Sequence, residues 1–374
     1  MKILIAGDLV PTEKNIDKFK DHNFLENMDN KFQEIWKNAD FRMFNLECAL
    51  CEKVKPIDKN GPNLCAPSLT INGIKALKPD LIFLSNNHIN DYGIEGIDNT
   101  VKLLEKNNIN YTGIINNSKE KLEKVYIEKD NVKVGIYNLC ENEFSVATLD
   151  SKGANPLNEI KNYKEIKELK EECDYVIVIF HGGKEYYRYP SPNLQRICRN
   201  FVDFGADVVI TQHSHCIGAL EEYNNCKIIY GQGNFIFDGG NDEFWNNALI
   251  LGLTINNEKI ELEYIPIEKN DSIIKFSEDK NILKGFFDRS EQIKNENFVE
   301  ENYAKFARKN LNLYLKFMNK SSFYKKVLNR LLNRQFFVKT YNKAECLRIL
   351  NIIQCEAHRE LFIKGLEDRI GDIK

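Results

Sequence analysis

The sequence predicts an α/β sandwich, on two observations. Over roughly the first 265 residues, short apolar runs of strand character alternate with amphipathic helical patterns, and the alternation ends in a β-rich tail. The composition is that of an ordinary globular chain, 43% apolar and 29% charged over 374 residues, which is long enough to bury a substantial core. Residues 3–6 read as a buried strand, and 16–37 as one helix with Ile16, Phe19, Phe32, Ile35 and Trp36 on its apolar side. A second strand is expected over 41–44, then a short helix over 70–77 that Pro79 stops. Strand 81–84 and helix 94–107 follow. The runs 125–127 and 132–137, with Asp130-Asn131 between them, predict a hairpin. Helix 157–171 leads into 175–180, the most strongly apolar strand, and helix 193–204 leads into strand 207–210. Short strands at 219–223, 227–230, 234–237, 247–255 and 259–265 complete the pattern.

After about residue 270 only helical patterns remain, so we expect one domain over 1–268 and a helical C-terminal region over 269–374. Between Tyr303 and Lys343 stand eleven Lys or Arg and no Asp or Glu. Phe306, Leu313, Phe317, Phe323, Leu331 and Phe336 recur there at helical spacing. Two readings stay open: an appendage with its apolar face on the body, or a docking face (303–343) for a polyanion, a partner protein or an anionic membrane surface.

Charge and cysteine usage exclude several classes. Fifty-two Lys and Arg against 55 Asp and Glu leave a net charge of −3, which excludes a nucleic-acid binder working by overall basicity. No apolar run approaches the roughly 20 residues of a membrane-spanning helix, and the apolar start at Ile3 is too short for a secretory core. Ten cysteines without an export signal suggest free thiols in the cytoplasm, with peripheral attachment to a membrane left open.

Of six histidines, four are predicted at or just beyond strand ends, the edge where open α/β sheets gather their ligands. His88 follows strand 81–84, His181 ends strand 175–180, and His213 and His215 follow strand 207–210. Asp8 follows the first strand, and Asn45 and Glu47 the second. Five strands thus each end in a residue able to bind a divalent metal. Hydrolytic metal sites need this mixture: anionic oxygens to hold the ion, neutral imidazoles to fix its geometry, and an open position for water. A carboxylate such as Glu47 can bridge two ions. The single Cys-x-x-Cys at Cys48 and Cys51 lacks the second pair a zinc site would need, and reads as inert thiols.

These residues, in order, resemble the capsule-synthesis CapA proteins of the calcineurin-like metallophosphoesterase superfamily. The resemblance rests on Gly7-Asp8, Asn45-Leu46-Glu47, Asn86-Asn87-His88 with Asp91-Tyr92-Gly93, His181-Gly182-Gly183 with Glu185-Tyr186, and Gln212-His213-Ser214-His215. The stretch Gly233-Asn234-Phe235 adds to it, and the match covers residue 1 to about 240–265. It implies a four-layer αββα sandwich of metallophosphoesterase type with a helical C-terminal appendage. It also implies one or two divalent ions, Mn, Zn or Fe. By the resemblance, Asp8, Glu47 and His215 would hold one ion, and Glu47, Asn87, His181 and His213 the second. His88 would be the general acid, oriented by Asp91, while Asn45, Glu185, Tyr186, Arg188 and Asn234 would meet substrate. Asp8 is followed by Leu9-Val10 where the superfamily usually has Asp-x-His, which leaves the first ion three evident ligands. The implied function is phosphoester cleavage by a metal-bound hydroxide on a phosphorylated or polymeric anionic substrate, in capsule or surface-polymer synthesis. The alternatives are an amide hydrolase acting on poly-γ-glutamate or a related polymer, and a non-catalytic subunit of a capsule-synthesis complex.

Overall fold

Along the strand Lys2–Val10 side chains alternate between two environments, as a strand's period of two requires. Ile3 and Ile5 join Met43, Leu81 and Phe83 in one apolar cluster, whereas Leu4 and Ala6 join Phe44, Ile82 and Leu84 in another. In Tyr175–His181 the same alternation sends Ile177 and Ile179 into the first of these clusters, and Val176, Val178 and Phe180 into a third. The shared cluster therefore lies between two sheets. Helices cover the outer faces: Asn30–Lys37, Ile71–Ala76 and Gly93–Lys106 on one side, Glu159–Lys170 and Pro192–Asp203 on the other. The result is the expected four-layer αββα sandwich. The computed structural model describes residues 1–52, 55–238, 240, 242–270, 273–318 and 341–372.

The first sheet runs Ile273–Phe276, Ile260–Asn270, Asn247–Ile255, Lys2–Val10, Phe41–Leu46, Leu81–Phe83 and Tyr111–Thr112, with Asn234–Phe237 also paired to Lys2–Val10. The second runs Ile217–Tyr223, Cys226–Gln232, Val208–Gln212, Tyr175–His181, Val132–Cys140 and Val125–Lys129. The strands that carry the polar motifs are parallel within each sheet, so their C-terminal ends collect at one edge. The predicted hairpin is present, with Asp130 and Asn131 at φ of 55° and 60°, the left-handed pair a two-residue turn demands.

One helix is corrected. The expected helix 16–37 is three pieces, Ile16–Phe19, the short 3₁₀ turn Phe24–Asn27, and Asn30–Lys37. Short polar side chains compete with the helix backbone here. Asp21 accepts from the Asn23 N–H at 2.9 Å, and Asp29 caps the last piece by accepting from Phe32 N–H at 3.1 Å. The apolar face survives the breaks, since Phe19, Phe32 and Trp36 are all buried in one cluster.

Past residue 270 the structure adds a strand, Ile273–Phe276, to the expected helices, and Ile260–Asn270 runs across the boundary drawn at 268. The helices Glu296–Met318, Lys343–Gln354 and Glu356–Asp372 are seated on Tyr187 through Tyr303, Tyr314, Ile352 and Leu361. Phe306 packs against that seat, while Leu313 is exposed. Most of the basic segment, residues 319–340 with Phe323, Leu331 and Phe336, and the side chain of Phe317 lie outside the described residues. Among the described residues no helix is long and apolar enough to cross a membrane. All ten cysteines are free thiols.

Candidate metal centre

Asp8 sits where Lys2–Val10 changes register, directly between Asn45 and Asn234 on its two parallel neighbours. A side chain at Gly7 would place its Cβ 2.1 Å from the Gly233 carbonyl oxygen, so this approach of backbones requires glycine. In the facing sheet His181 lies between Cys140 and Gln212, which brings Glu141 and His213 to the same edge. His213 and His215 both adopt positive φ, 82° and 53°, a conformation rare for residues with a Cβ and found preferentially at functional sites.

The two edges meet in a buried polar cluster. Asn45 donates to Asp8 Oδ1 at 2.8 Å and lies 3.3 Å from His181 Nδ1. Asn86 in turn donates to Asn45 Oδ1 at 2.9 Å and fixes that amide's orientation. His181 Nε2 stands 3.0 Å from Asn87 Oδ1, 3.3 Å from Glu47 Oε1 and 3.2 Å from His213 Nδ1. His215 Nδ1 contacts Asn234 Oδ1 at 2.9 Å and Asp8 Oδ2 at 3.7 Å. One ligand atom from each of Asp8, Glu47 and His215 falls within 4.8 Å of the other two, and the same holds for Glu47, His181 and His213. Glu47 belongs to both groups.

Burial, reinforced by the Glu47 charge, holds the Asp8 carboxyl above its usual range, and burial does the same to Glu47. Burial pushes His181 down to about 4 and His213 well below its ordinary value, which leaves both imidazoles neutral, the form that binds metal. For His215 burial also works downward, but Glu47, Asp8 and Glu185 outweigh it and the ring is raised. Both carboxylate oxygens of Glu47 are buried without a hydrogen-bond donor. A carboxylate in that state is costly unless a cation meets it.

Beside the cluster, His88 Nδ1 contacts Asp91 Oδ2 at 2.6 Å. Asp91 also accepts from Leu64 N–H at 2.6 Å and from Lys59, whose ammonium lies 3.2 Å from the His88 ring. The Lys59–Asp91 pair is almost wholly excluded from water. Of the residues expected to meet substrate, Asn45 and Asn234 belong to the cluster itself. Tyr186 is exposed, its ring 5.9 Å from His215, and Glu185 lies within electrostatic reach of Glu47 and His215. Arg188 is committed elsewhere, paired with Glu243 at 2.6 Å and set over the Phe244 ring.

With this geometry in view, residues 2–239 match the bacterial capsule synthesis protein family PGA_cap. The chain belongs to that family. It is 29% identical over 240 residues to the capsule biosynthesis protein CapA of Bacillus anthracis, covering 62% of this chain and 58% of that one. It is 24% identical over 273 residues to the PGA biosynthesis protein CapA of Bacillus subtilis (strain 168), covering 71% of each. The chain thus spans a little over half the length of the first relative. A solved hypothetical protein from Thermus thermophilus superposes with a TM-score of 0.45 at 13% identity, over 72% of this chain and all of that one.

Every residue singled out from the sequence as a site residue lies inside the PGA_cap match. Four that the structure adds were not singled out. Glu141 meets His213 Nε2 at 3.4 Å, and Glu141, Glu143 and His213 form a third group of converging donors. Glu141 follows a strand, so the rule that found Glu47 would have found it. Lys59 comes from a loop with no pattern of its own. Trp245, stacked on His215 with ring centres 5.4 Å apart, is brought in by a four-residue helix.

Proposed function

We propose that this member of the PGA_cap family is a metal-dependent hydrolase that cleaves a phosphoester during assembly or remodelling of a capsule or other surface polymer. The observation that carries the reading is Glu47, a fully buried carboxylate without a donor, shared by two groups of ligand atoms. Asp8, Glu47 and His215 would hold one divalent ion, and Glu47, Asn87, His181 and His213 a second. The mixture of carboxylate, amide and imidazole suits Mn, Zn or Fe. Such an ion supplies Lewis-acid charge and brings the pKa of a coordinated water down towards ~7.

The chain's own residues do the remaining work. Asn45 holds Asp8 in place through its 2.8 Å bond, and Asn234 occupies His215 Nδ1, which leaves Nε2 to ligate. His88 protonates the leaving oxygen through Nε2, while Asp91 at Nδ1 orients the ring and stabilises the imidazolium. Lys59 anchors Asp91 in turn. Free thiols throughout the chain fit a reducing compartment and support a cytoplasmic location, with peripheral attachment to a membrane left open.

The test is metal analysis of the purified chain, followed by hydrolysis of p-nitrophenyl phosphate and its bis-ester with added Mn²⁺ or Zn²⁺. Metal-dependent turnover is expected. The Bacillus subtilis relative's name, which refers to PGA biosynthesis, favours trying poly-γ-glutamate beside these esters. Cleavage of that polymer alone would replace the phosphoester with an amide. Bound metal without turnover on any of them would overturn the hydrolase and favour a subunit of a synthesis complex.

A further inference from the structure

The C-terminal helices bring a different kind of donor set to the same edge. Cys355 joins the helices Lys343–Gln354 and Glu356–Asp372, and His358 stands three residues on, in the first turn of the second. Facing them is Glu143, in the loop after Val132–Cys140. One ligand atom from each of Glu143, Cys355 and His358 lies within 4.8 Å of the other two. The Cys355 thiol is fully buried and Glu143 nearly so. Thiol, imidazole and carboxylate converge here.

Two further observations point to a ligand. Tyr314 Oη meets His358 Nδ1 at 2.7 Å, which fixes the ring and leaves Nε2 available, the outer support that ligating imidazoles ordinarily have. Acidic groups are also crowded together. Glu141 lies beside Glu143, the Cys355 sulfur is 3.5 Å from Glu141 Oε1, and among the described residues neither glutamate forms an ion pair with lysine or arginine. Lys59 and Lys184 reach Glu143 only through their longer-range field.

We propose that Glu143, Cys355 and His358 bind a zinc-type divalent cation, separate from the ions at Glu47. Thiolate, imidazole and carboxylate together suit zinc, a borderline-soft ion that accepts all three. Binding releases the Cys355 proton to solvent. The cation ties residues 355 and 358, beyond the PGA_cap match, to residue 143 inside it, and so pins the C-terminal helices to the sandwich. It does not depend on the hydrolase reading.

Cobalt distinguishes this site, because only a thiolate ligand gives a sulfur-to-cobalt charge-transfer band in the near ultraviolet. Co²⁺ titrated into the metal-free full-length protein is expected to raise that band to a plateau. Cys355→Ser should abolish it and remove one equivalent of bound metal, while Glu47→Gln should leave it in place. Absence of the band in the unmutated protein, or its persistence in Cys355→Ser, overturns the proposal. Should Cys355→Ser fail to fold, Glu143→Gln and His358→Gln keep the thiol. Each is expected to weaken the cobalt that produces the band at least ~10-fold; unchanged affinity in both would equally overturn it.

Discussion

Glu47 and the pair Glu356 and Glu360 are carboxylates withdrawn from bulk water, yet their surroundings differ in kind. Glu356 accepts from the backbone and the side chain of Asn142, both at 2.8 Å. Glu360 accepts from Asn193 N–H at 2.8 Å and from the Ser191 hydroxyl, at the start of the helix Pro192–Asp203. Glu47 has a donor at neither oxygen. Protein groups hydrogen-bond the first two, which fasten the C-terminal helices to the sandwich, whereas the third has no protein donor and is the group at which we propose a cation. Burial alone therefore does not mark a metal ligand; at Glu47 it is the missing donors that set the carboxylate apart.

The sharpest way to break this comparison is to neutralise each carboxylate in turn. Glu47→Gln is expected to lose metal from both groups and to lower turnover by more than ~100-fold, beyond the usual cost of removing an outer partner of a metal ligand. Unfolding of the metal-free variant in urea should be no easier than for the equally metal-free unmutated protein, since no protein donor to Glu47 is stranded. Glu356→Gln should do the opposite, keeping metal and turnover while costing about 1–3 kcal/mol of stability, the range for a charged hydrogen bond. If Glu356→Gln lost the metal and Glu47→Gln kept it, the distinction would be wrong.

A second experiment separates holding metal from moving a proton. His88→Ala should retain the full metal content, because His88 faces Asp91 and Lys59 rather than Glu47. Its turnover should fall by ~10²–10⁴, the usual contribution of a general acid. The loss should be greater for alkyl esters than for p-nitrophenyl esters, whose leaving group departs without a proton. Asp91→Asn affects the same proton by a different route, since it strands the buried Lys59 ammonium. We expect it to cost roughly 3–5 kcal/mol in urea unfolding, as for one partner removed from a buried pair.

Much of this is legible in the sequence because it is local. Strand ends announce themselves by an apolar run followed by polar residues, and Asp8, Glu47, His181 and His213 each follow such a run. Their convergence from two sheets is legible only as a resemblance, since nothing local says which strand neighbours which. Residues 16–37 read as one helix because their periodicity carries through the breaks, while Asp21 and Asp29 interrupt the backbone. Lys59, Cys355 and His358 reach the site through tertiary packing of a loop and of helices beyond the family match, and neither a run nor a period marks them.

The smallest expected effect tests the seat of the C-terminal helices by pH. Burial raises Glu360 to about 7 despite its two donors, with Glu300 adding to the rise and Arg196 opposing it. From about pH 4.5 to 7, Glu360 in the unfolded chain has lost its proton while the folded chain keeps it. The folded state then binds more protons, so stability falls as pH rises through this window and does not recover above it. Glu360→Gln carries no proton to lose, and its urea midpoint should fall less between about pH 5 and 8 than that of the unmutated protein. Because the groups around Glu47 titrate in both proteins, their contribution cancels in the difference. An identical pH slope in the two would show that burial does not raise Glu360, and the seat of the C-terminal helices would then contribute nothing to the pH dependence.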